Sequence, residues 1–279
     1  MDVVTLGTGS PIPDPNRAGA ATLVRAAGKT LLVDAGRGVV MRLAAAGVLP
    51  PMLDRVLLTH LHSDHIADFN DVLTTRWVMS PIESPLSVIG PPGTAAFVDR
   101  TIAMLSDDVR YRLDHHADLT WEPRCETHEV LDGVAWEADG VRVLASPTDH
   151  RPVAPTIGFR IEAEEKVIAL AGDTVPCDGL DALCAGADVY VQTVLRADLV
   201  QNVPSPRFQD ILDYHSSCED AGRTAARAGV GTLVLTHPVP PPAPGTEDEW
   251  VAQAAEHFDG EIVLAHDLWS RTLLSLIHI

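Results

Sequence analysis

Four side chains that can bind a metal ion lie close together in the segment Thr59-His60-Leu61-His62-Ser63-Asp64-His65. An apolar run precedes this segment, and a helix-like apolar pattern follows it. Residues two apart in an extended chain point the same way, so His60 and His62 can hold one ion. Asp64 and His65 then fall on the first helical turn, where the helix dipole favours a carboxylate, and can face a second ion. This order of residue types predicts a metal site.

Further ligands are expected at the ends of other strands, because strands of one sheet bring their ends to a common edge. His150 closes one apolar segment, and Asp173 follows the apolar run 167–170. His237 follows the run 233–235. The glycine before Asp173 lets the backbone turn tightly beside an ion. Together with the four residues of the first segment, these make seven predicted metal ligands.

The elements that must position these ligands are short apolar runs alternating with helical segments. The predicted strands are 3–6, 21–24, 30–33, 56–58, 87–89, 134–136, 141–145, 157–161, 167–170, 189–192, 233–235 and 262–264. The predicted helices are 38–46, 64–78, 93–105, 178–184, 218–228 and 247–257. Strands and helices mix in both the first and last thirds. We therefore expect an α/β fold of two packed sheets with helices outside.

One internal sequence similarity suggests that the chain has two similar halves. Val56-Leu57-Leu58-Thr59-His60 is similar to Leu233-Val234-Leu235-Thr236-His237. The proline-rich stretches 11–15 and 238–245 each follow a motif-bearing strand, so they predict ordered loops rather than linkers. We expect one hydrolase domain over residues 1–268. Residues 269–279 follow the last predicted strand and read as a frayed tail or an expression remnant.

Composition excludes some classes of protein. The formal net charge of −19 argues against a broad basic surface for nucleic acid, although a local basic groove stays open. No run of eighteen apolar residues is present, and the N-terminus lacks the features of a secretory signal. The four cysteines have no zinc-finger spacing, which is typical of free thiols in a reducing compartment. We expect a cytoplasmic protein without a membrane anchor.

Five segments together resemble the metallo-β-lactamase fold superfamily and, within it, the ribonuclease Z-like tRNA 3′-endonucleases. They are Leu6-Gly7-Thr8-Gly9-Ser10-Pro11, Leu32-Val33-Asp34-Ala35-Gly36, the histidine-rich segment at 60–65, Gly172-Asp173-Thr174 and Leu235-Thr236-His237. The resemblance runs from Val3 to about Leu264. It implies an αββα sandwich, two packed mixed sheets flanked by helices, with the site at one sheet edge.

The resemblance also implies roles for the seven ligands. One zinc would be held by His60, His62 and His150, the other by Asp64, His65 and His237, with Asp173 between them. Two ions roughly 3.5–4 Å apart lower the pKa of a shared water toward ~7, which prepares it for attack on phosphorus. Asp64 would help to orient that nucleophile. Imidazole and carboxylate ligands suit zinc, but Mn²⁺ and Fe²⁺ stay open as alternatives.

Two more residues receive roles from the resemblance alone. Asp34 is similar to a family carboxylate that steadies the ligands, and an ordinary turn residue is an equal alternative. His215 lies 22 positions before His237, where related proteins carry a histidine that protonates the leaving oxygen. The Ser-Ser that follows His215 is also an ordinary helix-start signal, which gives a second explanation for this segment.

The substrate is less determined, because the chain departs from ribonuclease Z in two places. Short ribonuclease Z enzymes carry a tRNA-binding arm between the third histidine and the bridging aspartate. Here only 22 residues separate His150 from Asp173, and two predicted strands use them. Gln192 also stands where an acidic residue is usual. The polar stretch 107–129 reads as an irregular loop that could hold RNA instead.

Three functions therefore stay open. The first is an RNase Z-like phosphodiesterase, with precursor tRNA or another RNA as substrate. Four loop arginines could then contact phosphate, or they could serve solubility alone: Arg17, Arg37, Arg151 and Arg207. The second is a small-molecule hydrolase such as an arylsulfatase or lactonase. The third is a non-catalytic metal-binding interaction protein, against which the complete ligand set counts. The resemblance also implies a homodimer.

Overall fold

The structure, a computed structural model, describes residues 1–274. Two seven-stranded sheets form its centre. The first contains β1 (Asp2–Gly7), β2 (Ala21–Ala26), β3 (Lys29–Val33), β4 (Arg55–Leu57), β5 (Leu86–Gly90), β6 (Cys125–Glu129) and β14 (Trp269–Thr272), in the order β14-β1-β2-β3-β4-β5-β6. The second contains β7 (Gly133–Ala138), β8 (Val141–Pro147), β9 (Ile157–Ala163), β10 (Lys166–Leu170), β11 (Val189–Leu195), β12 (Thr232–Val239) and β13 (Glu261–Leu264), in the order β13-β12-β11-β10-β9-β8-β7.

Helices cover the outer face of each sheet. They are α1 (Val39–Ala45), α2 (Ser63–Ile66), α3 (Phe69–Met79), α4 (Thr94–Met104), α5 (Ser106–His115), α6 (Asp178–Cys184), α7 (Ala197–Val200), α8 (Pro206–Gln209), α9 (Cys218–Ala228) and α10 (Glu247–Ala255). Short 3₁₀ turns occupy Pro50–Met52 and Asp210–Asp213.

Side-chain alternation along the strands divides the apolar residues into three layers. In β3, Leu31 and Val33 face the other sheet, whereas Leu32 packs outward with α1 and α3. The outer face of the second sheet buries Tyr190 and Trp250 with α6, α9 and α10. Because successive strand residues point to opposite faces of the sheet, one run of apolar residues supplies side chains both to the layer between the sheets and to the outer layer. The predicted αββα sandwich is confirmed.

The helix predicted over 64–78 is two helices, because α2 ends at Ile66 and α3 begins at Phe69. Asp68 lies at the break, with φ −107° and ψ 19°. Its carboxylate accepts a hydrogen bond from the backbone N–H of Gly38, and its own N–H donates to the carbonyl of Ala35. These bonds to the loop after β3 fix α2 in place, and α2 carries Asp64 and His65.

Two other sequence expectations are wrong. Residues 107–129 are not one irregular loop, since they contain most of α5 and all of β6. Helix α5 buries only Val109, which explains its weak apolar pattern. Residues Trp269–Thr272 are not a frayed tail, because they form β14 and pair antiparallel with β1. The rest of the predicted tail, 275–279, lies outside the described residues.

The two sheets repeat one pattern of pairing, with three antiparallel neighbours followed by three parallel ones. By this order β4 corresponds to β11, and β3 corresponds to β10. The repeated Thr-His pair, which follows β4 and lies within β12, therefore belongs to strands that are not equivalent. The equivalent strands β3 and β10 both lead to an aspartate, Asp34 and Asp173.

Candidate metal centre

The seven predicted ligands meet at one edge of the sandwich, although they come from segments far apart in the chain. Their donor atoms form two groups, each within 4.8 Å. The first group is His60, His62, His150 and Asp173, and the second is Asp64, His65 and His237. Strand ends supply the ligands around both groups, and α2 supplies Asp64 and His65.

In the first group, the nitrogens converge on the ring of His62. His62 Nδ1 lies 3.2 Å from His60 Nε2 and 3.2 Å from His150 Nε2. Imidazole nitrogens at such separations can direct their lone pairs at a common point. The other nitrogen of His150 lies 2.8 Å from the carbonyl oxygen of Tyr214, which can only accept, so Nδ1 carries the proton and Nε2 is free to bind.

In the second group, His237 Nε2 lies 3.0 Å from Asp64 Oδ2, and His65 Nε2 lies 3.6 Å from the same oxygen. Asp173 Oδ2 faces both groups. It lies 3.8 Å from Nε2 of His60 and of His150, 3.4 Å from that of His65 and 4.0 Å from that of His237. One carboxylate oxygen therefore stands between the two sets of nitrogens.

Backbone strain accompanies this arrangement. Asp34 has φ 59° and His237 has φ 51°, in the left-handed region that side chains other than glycine rarely adopt. Gly172 has φ 65°, and a β-carbon there would lie 2.8 Å from Cβ of Thr59. Strained residues persist where surrounding structure holds them, and they cluster at functional sites. The turn before Asp173 therefore needs glycine for both conformation and space.

The Asp34 carboxylate is buried and links several parts of the centre. It accepts hydrogen bonds from the N–H and hydroxyl of Thr59. His65 Nδ1 lies 2.8 Å from Asp34 Oδ2. The proton on Nδ1 of His65 then leaves Nε2 directed at Asp64 and Asp173. These contacts support the ligand-steadying alternative for Asp34 over the plain turn residue.

A further observation supports the fit of these residues to divalent metal ions. Among the described residues, His65 Nε2 is a buried nitrogen without a hydrogen-bond partner, and it faces the carboxylate oxygens of Asp64 and Asp173. A buried polar atom without a partner is costly and calls for an explanation. Nitrogen and carboxylate donors around a shared point are the ligand set of zinc and related ions.

In the protein without metal ions, protons on histidines balance the negative charge of the carboxylates in the cluster. Burial opposes ionisation, yet the neighbouring His237 and His65 hold the pKa of Asp173 well below its usual range. Burial likewise opposes protonation of His65, but the carboxylates of Asp173 and Asp34 raise its pKa well above the ordinary value. Burial lowers the pKa of His60 well below that value. Cations bound here would displace the protons of His65 and His237.

His215 joins the cluster, as expected. Its Nδ1 lies 3.9 Å from Asp173 Oδ2, and its ring centroid lies 4.8 Å from that of His150. Burial lowers the pKa of His215 to about 4, although the Asp173 carboxylate opposes this shift. The ring is therefore neutral near pH 7 in the protein alone. The negative charge of a bound phosphate would favour the protonated form.

The predicted phosphate-contacting arginines are mostly engaged by the protein. Arg17 donates to Thr8 and to the carbonyl of Ala265. The guanidinium of Arg37 donates to two loop carbonyls, and Arg151 pairs with Asp149. The fourth, Arg207, lies on α8. Three of the four side chains are therefore engaged within the protein, and phosphate contact by these arginines stays a prediction.

Gln192 is fully buried. It accepts a hydrogen bond from the hydroxyl of Tyr190 and donates to the carbonyl of Thr193. The next residue, Thr193, donates to the carbonyl of Gly172 and so supports the turn that carries Asp173. Gln192 is therefore connected to this turn through its neighbour Thr193.

Sequence reasoning missed two residues that support the centre. Thr59 lies against both Asp34 and His60, and its position directly before the histidine-rich segment was the available signal. Asp267 accepts hydrogen bonds from Thr8 and Ala18 and pairs with Arg42, and thereby fixes the loop after β1. No motif in the sequence marks Asp267, because its partners lie some 250 positions away.

Comparisons with known proteins agree with this geometry. Residues 29–238 match the model of a beta-lactamase superfamily domain. A ribonuclease Z of Mycobacterium bovis (strain BCG / Pasteur 1173P2) is 56% identical over 270 residues, which cover 96% of each chain. A ribonuclease Z of Mycolicibacterium paratuberculosis is 57% identical over the same share of this chain.

Solved structures give the same fold. The human short-form tRNase Z superposes with a TM-score of 0.73 at 24% identity, covering 98% of this chain and 99% of that one. The metallo-beta-lactamase fold protein YhfI from Bacillus subtilis gives 0.75 at 22% identity, covering 97% and 98%. The chain therefore belongs to the ribonuclease Z family of the beta-lactamase superfamily and is a metal-dependent hydrolase.

Proposed function

We propose that this chain is a binuclear zinc phosphodiesterase that cleaves RNA, with the 3′ end of precursor tRNA as its first candidate substrate. The observation that carries the proposal is Asp173 Oδ2, which lies within 4.0 Å of histidine nitrogens from both ligand groups. High identity to curated ribonuclease Z proteins over nearly the whole chain supports the choice of RNA.

The ligands divide as the two groups do. His60, His62 and His150 would hold one ion, and Asp64, His65 and His237 the other, with Asp173 shared. Such ions, when bound, supply Lewis acidity and activate water for attack. Zinc is favoured by the nitrogen-rich donor set, whereas Mn²⁺ and Fe²⁺ are the alternatives that metal analysis would detect.

Residues of the chain supply the remaining chemistry. Asp64 would accept a hydrogen bond from the attacking water, since burial opposes its ionisation but the hydrogen bond from His237 keeps the pKa of its carboxyl low. His215 would pass a proton to the leaving oxygen, because it borders the first ligand group and is still partly accessible to solvent. Arg151, exposed beside His150, would have to leave Asp149 to contact a phosphate.

The proposal extends to compartment and assembly. The four cysteines are unpaired thiols, which supports a reducing compartment such as the cytoplasm. Within residues 1–274, no helix combines the length and apolar character needed to cross a membrane. The family resemblance favours a homodimer, and a dimer contact could cover exposed apolar side chains such as Met41, Val78 and Met79.

A second candidate function is hydrolysis of small esters, such as a small phosphodiester, an aryl sulfate or a lactone. The observation in its favour is the hairpin of β9 and β10, whose strands are joined only by Glu164 and Glu165. This hairpin fills the stretch between His150 and Asp173. The described residues therefore place no tRNA-binding arm at that position, and the active centre itself would accept a smaller substrate.

The test compares a precursor tRNA, a chromogenic phosphodiester and an aryl sulfate at fixed zinc and salt. Asp64→Ala removes a predicted ligand, and His128→Ala removes an exposed histidine on β6 as the matched control. We expect tRNA cleavage by the wild type and by His128→Ala. Asp64→Ala should lose at least ~10²-fold in turnover, as expected when a group that stabilises the transition state is removed, together with one zinc equivalent.

Cleavage of the diester without the tRNA would replace the RNA assignment with the small-substrate one. Full activity and two bound zinc ions in Asp64→Ala would contradict the ligand assignment. Absence of turnover on all three substrates, with zinc bound, would favour a metal-binding protein without catalysis.

A further inference from the structure

Thr59 occupies a position between two residues of the centre that do not touch one another. Its hydroxyl oxygen lies 2.9 and 3.1 Å from the two carboxylate oxygens of Asp34, and 3.0 Å from Nδ1 of His60. All three side chains are buried, with His60 fully inaccessible to solvent. Solvent therefore cannot replace either of these contacts.

Counting hydrogens determines the direction of both hydrogen bonds. A hydroxyl has one hydrogen to donate and can accept two bonds, whereas an ionised carboxylate can only accept. The hydrogen of Thr59 therefore goes to Asp34. The contact with His60 then requires a proton on Nδ1 of the imidazole, which donates to the Thr59 oxygen.

This proton placement decides what the other nitrogen of His60 can do. With the proton on Nδ1, the lone pair of Nε2 is free, and Nε2 lies 3.2 Å from Nδ1 of His62 and 3.8 Å from Oδ2 of Asp173. The opposite tautomer would place a hydrogen on Nε2 among these groups and remove a metal-binding lone pair. The contact thus selects the tautomer that can bind an ion.

The Asp34 carboxylate orients a ligand of the second group directly, since His65 Nδ1 lies 2.8 Å from Oδ2. Through Thr59 it reaches His60, a ligand of the first group. A single buried carboxylate therefore determines the proton position on one histidine of each group. This connection does not require His60 and His65 to hydrogen-bond to each other.

Packing holds the Thr59 side chain in the required rotamer. A β-carbon at Gly172 would lie 2.8 to 3.1 Å from Cβ, Oγ1 and Cγ2 of Thr59, so the backbone of Gly172 packs directly on this side chain. The methyl group of Thr59 fills space while the hydroxyl makes the contacts. Valine has the same shape without the hydroxyl, and serine keeps the hydroxyl without the methyl group.

We propose that Thr59 is a positioning residue that places the proton of His60 on Nδ1 and links His60 through Asp34 to His65. This inference rests on the metal-binding part of the proposed function. It concerns the chain's own hydrogen bonds, so it can be tested in the protein without metal and without any substrate.

The first measurement is the tautomer of His60, read from long-range ¹H–¹⁵N correlation spectra of metal-free protein labelled at histidine. In the wild type we expect the proton on Nδ1. In Thr59→Val we expect a mixture of tautomers, and in Thr59→Ser the wild-type pattern. A wild-type spectrum with the His60 proton on Nε2 would overturn the proposal without any variant, even if Thr59→Val does not fold.

The second measurement is zinc affinity, by competition with a chromophoric chelator. Thr59→Val should bind one zinc equivalent about 10- to 100-fold more weakly, as for other groups that orient metal-binding histidines, while Thr59→Ser should stay within about threefold of the wild type. Thr236→Val is the matched control, because Thr236 also precedes a ligand histidine but its hydroxyl contacts no ring nitrogen among the described residues.

Unchanged zinc affinity in a folded Thr59→Val, with His60 still protonated on Nδ1, would refute the role of Thr59. Zinc binding by the wild type is a separate result that tests the centre itself. Failure of the inference can therefore be distinguished from failure of the proposed function.

Discussion

At the scale of single residues, the centre depends on where each imidazole carries its proton. His150 donates to the carbonyl of Tyr214, and His65 donates to Asp34, so both present Nε2 to the cluster. These hydrogen bonds thus orient both rings before any ion arrives, and His65 would release its second proton when an ion binds. Since a ligand must offer a lone pair, a hydrogen bond on the opposite nitrogen favours binding and fixes the ring orientation.

His215 gives a prediction at this scale. If it protonates the leaving oxygen, His215→Ala should lower kcat by about 10²- to 10⁴-fold for a diester with an alkoxide leaving group, the usual contribution of acid catalysis. A nitrophenolate leaving group needs no proton, so that substrate should lose much less. The measurement is kcat for both diesters with zinc content checked. An equal loss for both substrates would argue for a structural role of His215 instead.

At the scale of elements, strand ends and short turns deliver ligands that the sequence keeps far apart. The parallel strands β10, β11 and β12 end at the same edge, which brings Asp173 and His237 together. The break between α2 and α3 directs Asp64 and His65 toward this edge. Strand β14 closes the first sheet beside β1, and Trp269 packs against the core between the sheets.

The packing of β14 predicts the effect of two substitutions. Trp269→Ala should lower the free energy of unfolding by about 2 kcal/mol, below the range for a fully buried tryptophan because Trp269 is only partly buried. Ser270→Ala, at an exposed neighbouring position, should change it by less than about 0.5 kcal/mol. Urea unfolding at neutral pH measures both. Equal midpoints for the two variants would mean that this strand does not contribute to stability.

At the scale of the whole molecule, the net charge of −19 repels an RNA substrate, which is itself a polyanion. Three of the four arginines near the motifs are engaged by hydrogen bonds or ion pairs with the protein itself. The positive charge that meets the scissile phosphate would therefore come mainly from bound ions. This charge is local, so it favours recognition close to the cleavage point over a long electrostatic footprint.

The charge distribution predicts a weak salt dependence of RNA binding by Asp64→Ala, the variant that should bind without turnover. Each phosphate contact made by Lys or Arg contributes about 0.7 to 0.9 to the slope of log K against log salt. Because three of the four arginines near the motifs are engaged within the protein, we expect a slope no steeper than about −2. Fluorescence anisotropy over a salt series measures it. A slope near −6 would indicate a basic RNA-binding surface that involves other residues.

The sequence alone predicted the seven candidate ligands that the structure brings together, and the run of His and Asp residues after an apolar strand was the strongest signal. It also determined most strands and helices, since alternation and helical periodicity are local properties of the chain. Strands β6 and β14 and helix α5 were not predicted, because both strands are short and largely exposed and the helix buries a single apolar residue.

Only the tertiary structure decided the distances between the candidate ligands and the contacts that support them. Asp173 faces both groups because β9 and β10 form a hairpin and β10 pairs with β11, which no local pattern specifies. The contacts of Thr59 with Asp34 and His60 depend on β3 and β4 lying side by side. Residue types and periodicity are written along the chain, whereas distances between strand ends arise only when distant segments pack together.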